Sequence, residues 1–113
     1  MDYDLEERTA KFGESVIEFA KNLKETTINK PLIGQLIRSS TSIGANYMEA
    51  NQASSKKDFK NKISICRKES NESKHWLRMI SKANIDKRED CRKLWKEAHE
   101  LTLIFSKISL KCK

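Results

Sequence analysis

Apolar residues recur along most of this chain at alternating steps of three and four, the spacing that keeps side chains on one flank of an α-helix. Leu5, Phe12, Val16, Phe19 and Leu23 form the first stripe, widened by Ile17 and Ala20. They predict a helix over residues 4–24. Glu6, Glu7 and Glu14 fall toward its start and Lys21 and Lys24 toward its end, each sign where the helix dipole favours it. The next five residues read as a connection. Asn29 is placed to cap a second helix, with Pro31 tolerated in its first turn.

That second helix, expected over residues 31–52, has two organised faces: Leu32, Leu36, Ile43 and Tyr47 on one, Gln35, Arg38, Ser42, Asn46 and Glu49 on the other. Local propensity alone reads its middle as a loop. Gly44 costs about 1 kcal/mol against Ala inside a helix. Its compensation, and that of Ser39, Ser40 and Ala45, is expected to be the close approach of a neighbouring helix.

Ser55 with Asp58 resembles a capping box opening a third helix over residues 56–83. Phe59, Ile63, Cys66, Ser70, Ser73, Leu77 and Ile80 then alternate steps of four and three without a fault, a heptad seam along the whole helix. The small centre of that seam, Ser70 and Ser73, is expected to lie close to the second helix near Gly44. Beside it runs a second stripe, Ile65, Glu69, Glu72 and Trp76. Asp86 with Glu89 repeats the capping-box pattern before a fourth helix, residues 87–111, carrying Leu94, Ala98, Leu101, Phe105 and Ile108. Four long helices with short links predict one all-α domain over residues 1–113, an antiparallel up-down-up-down four-helix bundle. No repeat period points to a solenoid.

Composition sharpens this picture in three places. Three Gly and one Pro in 113 residues disfavour a many-stranded sheet. No uncharged run approaches the roughly 18 residues of a membrane span. The acidic start lacks the order of a signal peptide, so a cytoplasmic location is expected. Cys66, Cys91 and Cys112 are odd in number and far apart, and read as free thiols. Joining them to His75 and His99 matches no zinc spacing, so neither metal nor cofactor is expected.

The formal charge of +7 suits an anionic partner without specifying one. Lys56, Lys57, Lys60, Arg67, Lys68 and Lys74 are the candidate phosphate contacts, the alternative being a solvated basic face. No base-reading motif, helix-turn-helix pattern or stacking platform is visible, so binding to RNA or DNA would be weakly sequence-selective. Trp76 reads as core or as the anchor of a subunit contact, a role in which Trp is enriched; Trp95 carries no such argument. Asn71-Glu72-Ser73 matches a glycosylation signal by chance, in mid-helix.

The run from Arg38 to Ala50 around Ser42-Ile43-Gly44-Ala45-Asn46, then Ser55-Lys56-Lys57-Asp58-Phe59, then Lys68 to Leu77, resembles the four helix bundle protein family. Its founding members are encoded in intervening sequences of 23S ribosomal RNA genes. The resemblance covers nearly the whole chain and is most specific from Gln35 to Leu77. Cys66-Arg67 and the Lys/Ser content of the third helix depart from it. It implies a left-handed bundle without enzymatic activity, assembled as a homo-pentameric ring with a basic central region. It also points to a related group, the accessory variability proteins of diversity-generating retroelements, which work with a reverse transcriptase and its RNA.

Arg38, Ser42, Asn46 and Glu49, with Glu69 and Glu72, match the family's shared polar positions. One reading is a buried network fixing helix register, Arg38 pairing with Glu69 or Glu72. The other is a pocket in which two glutamates on one face do acid–base work or hold a cation. No nucleophile, His pair or phosphate loop accompanies them, which favours structure. The expected function is a non-enzymatic oligomer engaging nucleic acid as an accessory factor. The alternative is an oligomeric scaffold contacting a protein partner, its charge serving solubility. No membrane partner is expected.

Overall fold

The periodic stripes turn inward, except that Ile17, expected to widen the first, stays exposed because it lies at the outer edge of that face. The computed structural model describes residues 4–112 and holds four helices, α1 (Leu5–Lys21), α2 (Asn29–Asn51), α3 (Lys56–Ala83) and α4 (Arg88–Lys111), the last entered through a 3-10 turn at Ile85–Lys87. The heptad seam of α3 is buried from Ile63 to Ile80, facing Leu36 and Ile43 of α2 and Ala98, Leu101 and Phe105 of α4 in one continuous core. The 28 residues of α3 span about 42 Å at 1.5 Å each. That length matches the 44 Å long axis of the molecule.

The helices pack in sequence order around the core, α1 on α2, α2 on α3, α3 on α4, with α1 and α4 sharing the sparsest side. The ends differ from expectation in three places, each for a local reason. α1 stops at Lys21, short of residue 24: Asn22 turns its side-chain amide back to the Glu18 carbonyl at 3.1 Å, and the chain bends so that Leu23 enters the core. Asn29 lies inside α2 instead of capping it, and Thr26 Oγ1 accepts the Asn29 N–H at 2.9 Å. The Asn29 side chain is used elsewhere, in a reciprocal amide pair with Asn84 at 2.9 Å that ties the start of α2 to the end of α3. At α4 the Asp86–Glu89 capping box does not form. Lys87 N–H bonds the Asn84 carbonyl at 2.9 Å, so the backbone turn opens the helix. Ser55 does cap α3, accepting the Asp58 N–H at 3.0 Å.

Small residues allow the closest approach. Ser39 and Ser73 are fully buried and their hydroxyls meet at 2.9 Å between α2 and α3. Ser73 donates to the Glu69 carbonyl at 2.9 Å, leaving its oxygen to accept from Ser39. Just along the seam, the Cys66 thiol points at the Ile43 carbonyl at 3.5 Å. Gly44, however, faces α1 and not α3: a β-carbon there would sit 3.3 Å from Thr9 Oγ1. Thr9 is itself buried, with its hydroxyl turned onto the Leu5 carbonyl at 2.7 Å. The second helix is therefore thinned on two sides for two different neighbours.

The glycines of α2 separate these effects. Nothing lies within 4 Å of a β-carbon built at Gly34, so Gly34→Ala collects the helix-propensity gain, about 1 kcal/mol, and raises the melting temperature by several degrees. Gly44→Ala must displace Thr9 and is expected to gain less or to lose stability. Thermal melts of the two variants beside the wild type check the contrast.

Candidate functional site

The polar positions of α2 and α3 meet on one flank but do not form a single network. Arg38 is bound on three sides: Nη1 donates to Glu69 at 3.1 and 3.3 Å, Nη2 to Glu72, and Nε to Gln35 at 3.1 Å. Trp76 Nε1 donates to the same Glu72 oxygen at 2.9 Å. Glu49 sits farther along, paired with Lys62 at 2.7 Å. Asn46 bonds the Ser42 carbonyl one turn back, within its own helix, at 2.9 Å. Arg38 thus joins both glutamates, while Ser42, Asn46 and Glu49 stand apart from it.

The setting is the surface and not the core. The Arg38 side chain keeps 45% of its area open and Glu72 31%, against 14% for Glu69. An exposed pair contributes up to about 1 kcal/mol, well below the cost of orphaning a buried charge. The chemistry also points away from proton transfer. The Trp76 N–H, followed by the Arg38 charge, holds the Glu72 carboxyl below its ordinary range despite partial burial. A general acid at neutral pH needs the opposite shift. Among the described residues no three His, Cys, Asp or Glu side chains converge to hold a metal ion. Burial pushes the Cys66 thiol up to about 12 and the Cys91 thiol to about 11, so neither is a ready nucleophile.

The candidate phosphate contacts divide. Lys56, Lys57, Lys60, Arg67 and Lys68 are all exposed. None of the five enters an ion pair among the described residues. Lys74 is different. Its Nζ bonds His99 Nδ1 at 3.0 Å and lies 5.1 Å from the centre of the Trp95 ring, on which His99 stacks. Lysine can only donate, so His99 accepts at Nδ1. Lys74 is held between α3 and α4. Trp76 is half-buried against the core, edge-on to His75. The sequence offers His99 only as a metal ligand and Trp95 no role, although their i, i+4 spacing on α4 puts the two rings on one flank. Nothing in the sequence singles out Arg8, which grips both oxygens of Glu97 at 2.7 and 2.8 Å across the α1–α4 side.

Against known proteins, the family model described as 23S rRNA-intervening sequence protein matches residues 1–107. A solved structure, a protein with unknown function from the S23 ribosomal protein family of Bacteroides thetaiotaomicron, is similar at a TM-score of 0.82 and 30% identity. That match covers 92% of this chain and 96% of the other. No curated protein matches the chain.

Arg38→Ala is expected to lower the melting temperature by a few degrees, in line with the loss of about 1 kcal/mol from an exposed pair. An unchanged melt with loss of a ligand would reverse the structural reading. The Glu72 contribution has a fixed sign in pH. Because its folded pKa lies below the unfolded value, its stabilisation is complete above the ordinary carboxylate range and is lost as pH falls through the folded value. The urea-stability gap between wild type and Glu72→Gln should therefore be full at neutral pH and close as pH falls through the lowered folded value.

Proposed function

The chain belongs to the 23S rRNA-intervening sequence protein family, and from that premise we propose that it is a non-enzymatic, oligomeric four-helix bundle that binds RNA or other nucleic acid through its basic surface, as an accessory to a larger complex. The observation carrying this reading is the uneven distribution of a net charge of +7. Glu49, Glu69 and Glu72 are tied into ion pairs between α2 and α3. The cations of the outer α3 surface, Lys56, Lys57, Lys60, Arg67 and Lys68, are left without carboxylate partners among the described residues. A solvated array of this kind meets phosphates without reading bases.

The antiparallel up-down-up-down order belongs to the proposal. It is supported by pairings that run oppositely along α2 and α3: Asn29 with Asn84, Ser39 with Ser73, Ile43 with Cys66, Glu49 with Lys62. The left-handed turn of the bundle and assembly into a homo-pentamer complete it. Exposed Met48 on α2, and Leu103 and Leu110 one heptad apart on α4, offer apolar surface for subunit contacts, with Trp76 the candidate anchor. Repetition of the basic surface around a ring would strengthen a contact that is weak in one copy. The same apolar residues favour the second reading, a scaffold that holds a protein partner.

A gel-shift series with structured RNA across a salt gradient separates the two. Binding should weaken linearly in log–log form, by about 0.9 per neutralised phosphate on a duplex. The double variant Lys60→Gln/Arg67→Gln should bind less tightly and with a shallower slope. No shift even at low salt removes the nucleic-acid reading. In sedimentation, the wild type should run as a pentamer of 13.1 kDa chains. An intact oligomer in Trp76→Ala would rule out an anchoring role for that residue.

A further inference from the structure

α3 carries its charges on opposite flanks. Glu69 and Glu72 turn to α2, where Arg38 takes them, whereas Lys74 turns to α4. Lys60, Arg67 and Arg78 share the Lys74 flank, at steps of seven and four, so a basic row follows the α3–α4 boundary. The row ends in a surface groove of about 230 Å³ lined by Leu77, Arg78, Ser81, Arg88, Arg92 and Trp95, with buried Cys91 in its floor. Three arginines, a serine and a tryptophan therefore line one small depression. Arg78 and Arg88 have no hydrogen-bonding or ionic partner for their side chains among the described residues, and Arg92 is held only by Glu89 at 3.9 Å. Neither Lys74 nor His99 lines the groove. Trp95 keeps 38% of its area exposed.

The geometry points to a single-stranded nucleic-acid subsite here: a backbone phosphate among Arg78, Arg88 and Arg92, and an adjoining unpaired base against the Trp95 indole. This rests on the nucleic-acid reading above and names a site for it. Arginine presents a planar fork of donors that matches phosphate oxygens. An aromatic face adds a contact only an unpaired base can use, because duplex bases are already stacked on one another. Charge alone would serve an acidic peptide equally well; the exposed indole lining the same groove as the three arginines is what favours a base. The row from Lys60 to Arg78 gives the strand a path out of the groove. The floor of Leu77 and Cys91 belongs to the core and fixes the depth of the depression.

Tryptophan fluorescence tests it. In Trp76→Phe the signal comes from Trp95 alone, and titration with a short oligouridylate at low salt should quench it. Trp95→Leu, which keeps apolar bulk, should weaken oligouridylate binding about tenfold in a gel shift. The combined change Arg78→Gln/Arg88→Gln/Arg92→Gln, all at exposed positions, should weaken it at least as much with an unchanged melting curve. Oligodeoxythymidylate in parallel distinguishes the source of the strand: equal quenching assigns the site to phosphate and base, and preference for the ribo-oligomer adds a 2′-hydroxyl contact. A duplex or polyglutamate that quenches Trp95 as strongly overturns the subsite. So does oligouridylate binding that is undiminished in both the Trp95→Leu and the triple-Gln variants, an outcome that leaves the wider nucleic-acid reading standing. Absence of any oligomer or structured-RNA binding by the wild type at low salt takes both down.

Discussion

The architecture depends on how closely α2 can approach α3. Leucine-sized residues at Ser39 and Ser73 would hold the helices apart, and the flanking polar groups would not meet. With hydroxyls in those places, the backbones come near enough for Ser39 to touch Ser73 and for the Cys66 thiol to reach the Ile43 carbonyl. Serine is a modest helix former because its hydroxyl competes for backbone groups. Here that competition is absorbed: Ser70 and Ser73 bond carbonyls one turn back at 2.8 and 2.9 Å, and no buried side-chain polar atom among the described residues is left unsatisfied. The same proximity lets Arg38 span to two glutamates of α3 from a largely solvated position.

Charge is then sorted by what faces each helix. One flank of α3 finds a neighbour with an arginine and a glutamate, and its ionic groups are satisfied within the molecule. The other meets α4, whose Arg88, Arg92, Trp95 and His99 continue the basic and aromatic character in place of neutralising it. A net positive protein can bear its excess evenly, as a solubility device, or gather it where the field adds up. The α3–α4 boundary is of the second kind.

Most of the scaffold was legible in the chain because periodicity reports burial directly. The α3 seam is readable residue by residue, and the two organised faces of α2 put Ser42-Ile43-Gly44-Ala45-Asn46 in a helix against its own local propensity. What periodicity does not carry is the identity of the neighbour. Gly44 signalled close approach, yet whether Thr9 or Ser73 answered it depended on the rotation of α2 about its axis. The helix ends were misplaced where competing hydrogen bonds of similar strength existed: Asn29 could cap or pair with Asn84, and Asp86 could cap or leave the turn to the backbone. The spacing of Arg38, Glu69 and Glu72 is enough to suggest their pairing, while the solvation of Arg38 follows from the packing of whole helices. The Trp95–His99 spacing was plain in the sequence; its meaning came only with Lys74, twenty-odd positions away on another helix.

The ring of four helices is closed unevenly. Three of its sides rest on broad apolar packing, and the fourth, between α1 and α4, is sparse and bridged by the forked grip of Arg8 on Glu97. Apolar packing slackens in the cold, whereas a part-exposed ion pair slackens as electrolyte is added. Chilling and salting therefore strain different edges of the same small protein, and α1 is the edge that electrolyte reaches.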